Sequence, residues 1–128
     1  MLTFFVSWLI IADYLFLLFH TCLILFNVFG WMVKNWRKIH LWTIGLTFMS
    51  WFLLGIWYGW GYCFLTDWHW QVLRHLGENN LPHSYISYLF SRFFGILPPA
   101  AWVDFFTVFL AFLALIASVW VNFFQAKK

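Results

Sequence analysis

Three polar residues stand out by type and spacing. Asp13, His20 and Asn27 are set seven residues apart in an otherwise apolar run. Seven residues is close to two α-helical turns, so a helix would present all three along nearly one line. A carboxylate, an imidazole and an amide in file could pass a proton, seat the polar end of a ligand, or hydrogen-bond a neighbouring helix. A second group lies further on: His69, His75 and His83, with Asp67, Glu78 and Cys63 close by in sequence. These are metal-ligating types, but their spacing matches no zinc pattern, and solvated histidines at a membrane surface are the simpler reading. No phosphate loop or nucleophile–base motif is present.

The elements that carry these residues follow from composition. The chain has 128 residues, 65% of them hydrophobic and only 9% charged, with 18 Phe, 11 Trp and 5 Tyr. A soluble domain is about one quarter charged. This one could not cover its apolar surface in water, which predicts an all-α integral membrane protein in a single domain. The net charge of +3 does not indicate nucleic acid, because most of the Lys and Arg residues lie at the ends of apolar runs. Cys22 and Cys63 do not form a disulfide framework, and both suit apolar packing. The N-terminal run lacks a basic flank and a small-residue cleavage site, so it reads as a retained span.

Three spans are expected, over about 4–33, 40–62 and 101–124. Asp13 and Lys34 bracket 20 residues without a formal charge, and Asp104 and Lys127 bracket 22. Both match the length that a bilayer core requires. Between spans two and three, two short helices over about 66–77 and 84–96 are too short to cross, so they should be interfacial or re-entrant. Thr66 or Asp67 should cap the first, and Trp68, Val72, Leu73 and Leu76 should form its apolar face. Gly77 should end it. Ser84 should cap the second, and Pro98–Pro99 should end it. Gly55 and Gly59 form a small-xxx-small pair suited to helix packing. The basic turn Lys34–Lys38 and the C-terminal Lys127 and Lys128 are expected on the cytoplasmic side, with the N-terminus outside, in a cell inner membrane.

Span three has its own stripe: Asp104, Thr107, Ala111, Ala114, Ser118 and Asn122, at steps of three and four. Shifted by 91 residues, the stripes of spans one and three match. Asp13 meets Asp104, His20 meets Ala111 and Asn27 meets Ser118. This predicts an intramembrane polar seam, with Ala111 and Ala114 as packing positions. Two carboxylates at one level need a partner charge, from Arg74, Arg92 or a histidine of the connecting helices.

Further residues carry a resemblance. His20 precedes a Phe- and Gly-rich helix end, and Trp36 and His40 follow. Then come Gly61-x-Cys63-x-Leu65-Thr66, Leu73-Arg74, Gly77 and Ser84-x-Ile86-x-Tyr88. Over about residues 13–122 this pattern resembles a family of small bacterial membrane proteins catalogued as domain of unknown function 2784. It departs from that pattern at Phe64, where proline is expected, and in Asp67-Trp68-His69, where the acid is expected slightly later. The resemblance implies a helical inner-membrane protein and brings no activity with it.

The expected function is non-enzymatic: an accessory or scaffolding subunit of a larger membrane complex, or a homo-oligomer, in contact with membrane lipid. The alternative is a protein that binds quinone, lipid or haem around Asp13 and His20. His20 lacks a histidine at matched depth in spans two and three, so haem would need a second ligand from a partner. A proton pathway is the third reading, weakened by the return to Val28, Phe29 and Gly30 beyond Asn27.

Overall fold

A mainly apolar run without proline or glycine makes Leu2–Phe29 one long helix, α1. A computed structural model describes residues 2–59, 61–82 and 84–124. His83, Lys127 and Lys128, invoked above, lie outside the described residues. After α1, two 3-10 turns, Gly30–Met32 and Lys34–Trp36, reverse the chain into α2 (Arg37–Met49). A π-helical turn, Ser50–Leu54, leads into α3 (Gly55–Tyr58). Then follow α4 (Phe64–His75), α5 (Tyr85–Phe94) and α6 (Ala100–Val119), the last continuing as a π-helical turn over Trp120–Phe124. Among the described residues, three stretches are long and apolar enough to cross a membrane: Thr3–Met32, Lys34–Tyr58 and Ala100–Phe124.

The second stretch ends at Tyr58, short of the expected residue 62. Gly59 has φ +110° and Gly61 φ +83°. Such angles are open to glycine and closed to a continuing right-handed helix. Gly59 is also exposed, so it terminates a helix and offers no packing face, whereas Gly55 is buried within α3. The helix expected over 84–96 likewise stops early, at Gly95 with φ +70°, before the prolines are reached. Ser84 caps it as expected, its Oγ accepting from the Ile86 N–H at 3.2 Å.

The described chain divides into two compact units. One joins the chain up to Ile24 with Thr47–Leu81. The other joins Leu25–Leu46 with the chain from Pro82 onward. In the first, α1 buries Asp13, Leu17 and His20, and α4 buries Leu65, His69, Trp70 and Leu73. A return connection holds α4 in place: Ser50 Oγ donates to the Tyr62 carbonyl at 2.9 Å, and the Gly61 N–H donates to the Trp51 carbonyl at 3.1 Å.

In the second unit, α5 and the turn Gly30–Met32 both pack on α6. The buried line of α6 is Val103, Ala111, Ala114 and Ser118, continued by Val121. Gly30 sits where a side chain would not fit. A Cβ there would come within 2.9 Å of the Phe26 ring and 3.0 Å of His40 Cδ2. Gly45, inside α2, has no such neighbour within 4 Å. Gly30→Ala is therefore expected to destabilise the protein by about 1–3 kcal/mol, as overpacking does. Gly45→Ala should stabilise it by about 0.5–1 kcal/mol, as removal of a helix-interior glycine does. Thermal unfolding of both variants in detergent, followed by circular dichroism, checks the opposite signs.

Candidate functional site

The first unit brings together acid–base side chains from three separated stretches. Asp13, midway along the apolar α1, is 7% exposed. His69 arrives from α4 and is fully buried. Its Nε2–H donates to Asp13 Oδ1 at 2.7 Å. That is a charge-assisted length, and a buried carboxylate requires such a partner. Phe16, one turn along α1 from Asp13, stacks on the His69 ring with centroids 5.6 Å apart and planes 15° from parallel. The Trp70 ring lies against the same imidazole at 5.9 Å. The imidazole is thus fixed in orientation and shielded from water.

His20, two turns along α1 from Asp13 and 5% exposed, places Nε2 3.9 Å from the Cys63 Sγ, within reach of a weak thiol hydrogen bond. Cys63 is the residue that precedes α4. Beside it, the Tyr62 hydroxyl donates to Asp67 Oδ2 at 2.8 Å, and its ring stacks on Tyr58 at 4.6 Å. Loss of water, and then the hydrogen bond and negative charge of Asp67, push the Tyr62 phenol up to about 12.

The expected site residues separate on these contacts. Asp13 and His20 both point into the first unit, as their common face requires. The partner of Asp13 is a histidine of a connecting helix, one of the three sources expected. Of the other two sources, Arg74 is exposed, and Arg92 donates to the Tyr88 hydroxyl at 2.6 Å. Asn27, in the second unit, is half-buried, and its backbone carbonyl accepts from His40 Nε2–H at 2.7 Å. Ser118 is fully buried. Asn122 Nδ2 donates to the Ser118 carbonyl at 2.8 Å and to the Arg37 carbonyl at 2.9 Å. Thr107 donates to the Val103 carbonyl at 2.7 Å, and Ala111 and Ala114 are buried.

Asp104 departs from the expected seam, because it is exposed and its neighbour Val103 takes the buried position. One residue turns the helix by about 100°, and the stripe read from Asp104 is offset by that amount at its first position.

His69 also departs from its reading as a solvated histidine. The expected apolar face of α4 was Trp68, Val72, Leu73 and Leu76. The buried face is instead Leu65, His69 and Leu73, with Trp70, while Trp68 is half exposed. The signal was present in sequence, since Leu65, His69 and Leu73 lie four apart, but histidine scores as polar until its carboxylate partner is known. The rest of the supposed metal group scatters. His75 is exposed and donates from Nδ1 to the Gln71 carbonyl, Glu78 is exposed, and Asp67 belongs to Tyr62. Among the described residues, no three His, Cys, Asp or Glu side chains converge with metal-holding geometry.

The family model described as Protein of Unknown function (DUF2784) matches residues 10–123, and the chain belongs to that family. No curated protein and no solved structure matches it.

Two outcomes follow from the pairings. His69→Ala leaves a buried carboxylate without its partner, so it should cost about 3–5 kcal/mol of stability. The double variant Asp13→Asn/His69→Gln should lose less than the sum of the single losses, and a double-mutant cycle on thermal unfolding measures that coupling. The raised Tyr62 phenol means that folding favours its protonated form. Its contribution to stability is intact below pH 10 and fades as pH rises toward 12. The difference between alkaline absorbance titrations of the native protein and Tyr62→Phe should have its midpoint near pH 12.

Proposed function

We propose that this member of the family is a non-enzymatic integral membrane protein. It would act as an accessory or scaffolding subunit of a larger membrane complex, or of a homo-oligomer. The observation that carries this reading is how the acid–base groups are used. Asp13, His20 and His69 are almost wholly shut in, and Asp13 and His69 are paired with each other. A buried pair of this kind fastens one helix to another, whereas a catalytic acid or base must reach its substrate. The outward faces of the long helices are apolar and rich in aromatic rings, suited to lipid and to partner helices. The three long stretches would span a cell inner membrane. The Lys34–Lys38 turn and the C-terminus would lie on the cytoplasmic side, by the distribution of basic residues.

One observation favours a second reading, the binding of an amphiphile such as a quinone or a lipid. A groove of about 290 Å³ runs between α1 and α4 in the first unit, lined by Phe5, Leu9, Phe16, Trp68, Gln71, Val72 and His75. Its walls are mainly apolar, and Gln71 and His75 supply polar groups. Phe16 forms part of the wall and stacks on His69 from the other side, which would link the groove to the buried pair.

Purification in mild detergent from the native membrane separates the readings. The expected result is a partner subunit at fixed stoichiometry, or a defined homo-oligomer. Extractable quinone or lipid at one equivalent, without partner protein, would replace the first reading by the second. A bare monomer would count against both. Flotation with lipid vesicles, resistant to alkaline wash, checks membrane insertion on its own.

A further inference from the structure

The turn between α1 and α2 collects three basic residues, Lys34, Arg37 and Lys38, within five positions. It contains no acid. Asp104, the one acidic residue of the second unit, lies 18 residues from Asn122 along the α6 stretch. At 1.5 Å per residue that is about 27 Å away from the end at which Asn122 meets Arg37.

Arg37 differs from its two neighbours. Lys34 and Lys38 are exposed, whereas Arg37 is half-buried. Its backbone is tied down, because its carbonyl accepts from Asn122 Nδ2 at 2.9 Å. Its Nε is buried and has no hydrogen-bond acceptor, and the guanidinium has no ion-pair partner among the described residues. On the same first turn of α2, the fully buried His40 leaves Nδ1 without a partner while Nε2–H is committed to the Asn27 carbonyl. A charged donor held part-way into apolar surroundings without an acceptor is costly, and native structures rarely leave such groups unused.

We propose that this turn is a binding site for a phosphate group, with Arg37 as its specific contact and an anionic phospholipid as its source. The half-buried stem fixes the direction of the guanidinium fork, so its terminal nitrogens can meet two phosphate oxygens at once. Lys34 and Lys38 add charge on either side. The N-terminus of the thirteen-residue α2 adds partial positive charge from its first N–H groups. The turn joins two stretches long enough to cross a membrane, which sets it at the level of the headgroups. Trp36, half exposed in the same turn, suits that level. The proposal rests on membrane insertion, which the flotation experiment tests separately.

Native mass spectrometry of the full chain in detergent tests the site, with phosphatidylglycerol, phosphatidylcholine and inorganic phosphate as probes. Phosphatidylglycerol should bind at one equivalent and in preference to phosphatidylcholine. Arg37→Gln should weaken it about tenfold, the scale of one lost charge-assisted contact. Lys38→Gln removes the same charge from an exposed position and should weaken it by no more than about threefold. Arg37→Lys keeps the charge without the fork and should fall between them, which guards against misfolding of the glutamine variant. Equal losses for Arg37→Gln and Lys38→Gln would reduce the site to diffuse surface charge and overturn the proposal, as would equal binding of the two lipids. Displacement of the lipid by equimolar inorganic phosphate would overturn the lipid as source and leave a site for the free anion.

Discussion

The first unit depends on the pairing of Asp13 with His69. Between Asp13 and Lys34 the chain carries no formal charge, so Asp13 sits alone on an apolar helix. A lone carboxylate in such surroundings is either neutralised or answered, and the answer has to come from another element. Here it comes from α4, and the geometry of that helix follows from the need. His69 must face α1, so Leu65 and Leu73, one turn to either side, share the buried face, and Trp68 turns outward. The connection before α4 serves the same end. Gly59 breaks the helix, and Ser50 and Trp51 bond back to Tyr62 and Gly61, which sets the point from which α4 begins.

The second unit meets its constraint with uncharged groups. Where a helix stops, its last carbonyls lose their N–H partners and must find others. At the end of α1 the Asn27 carbonyl finds His40, fully buried at the start of α2. That contact requires Gly30, because any side chain there would strike Phe26 and His40. Asn122 does comparable work at the end of the third long stretch, bonding both the Arg37 and Ser118 carbonyls. The same packing that closes this corner holds Arg37 part-way inside, its Nε without an acceptor among the described residues. The corner is therefore ordered by contacts to backbone carbonyls.

Much of the fold is legible in the residues themselves. Long apolar runs announce the three long stretches, Ser84 announces the start of α5, and the seven-residue spacing places Asp13 and His20 on one inward face. Helix ends were less legible. Tyr62 and Pro98 looked like natural limits, but glycines with positive φ ended the helices first, at Gly59 and Gly95. The small-xxx-small pair was misleading for the same reason, since a glycine that ends a helix cannot also pack within it. On α6 the buried line is recognisable in Ala111, Ala114 and Ser118, whereas Thr107 and Asn122 are half-buried and Asp104 is exposed.

The sequence by itself determined the helical class, the apolar stretches and the fact that Asp13 needed a partner. These depend on local periodicity and on solvation costs that each residue carries wherever it goes. Only the tertiary structure decided which partner it was. Arg74, Arg92 and the histidines were all chemically suitable, and the choice of His69 depends on where the return through Ser50, Gly59 and Gly61 sets α4 down. That position is the sum of several backbone angles and two hydrogen bonds across the connection. No spacing in the sequence records such a sum. The same holds for Arg37, which reads as one of three basic residues until its burial separates it from the other two.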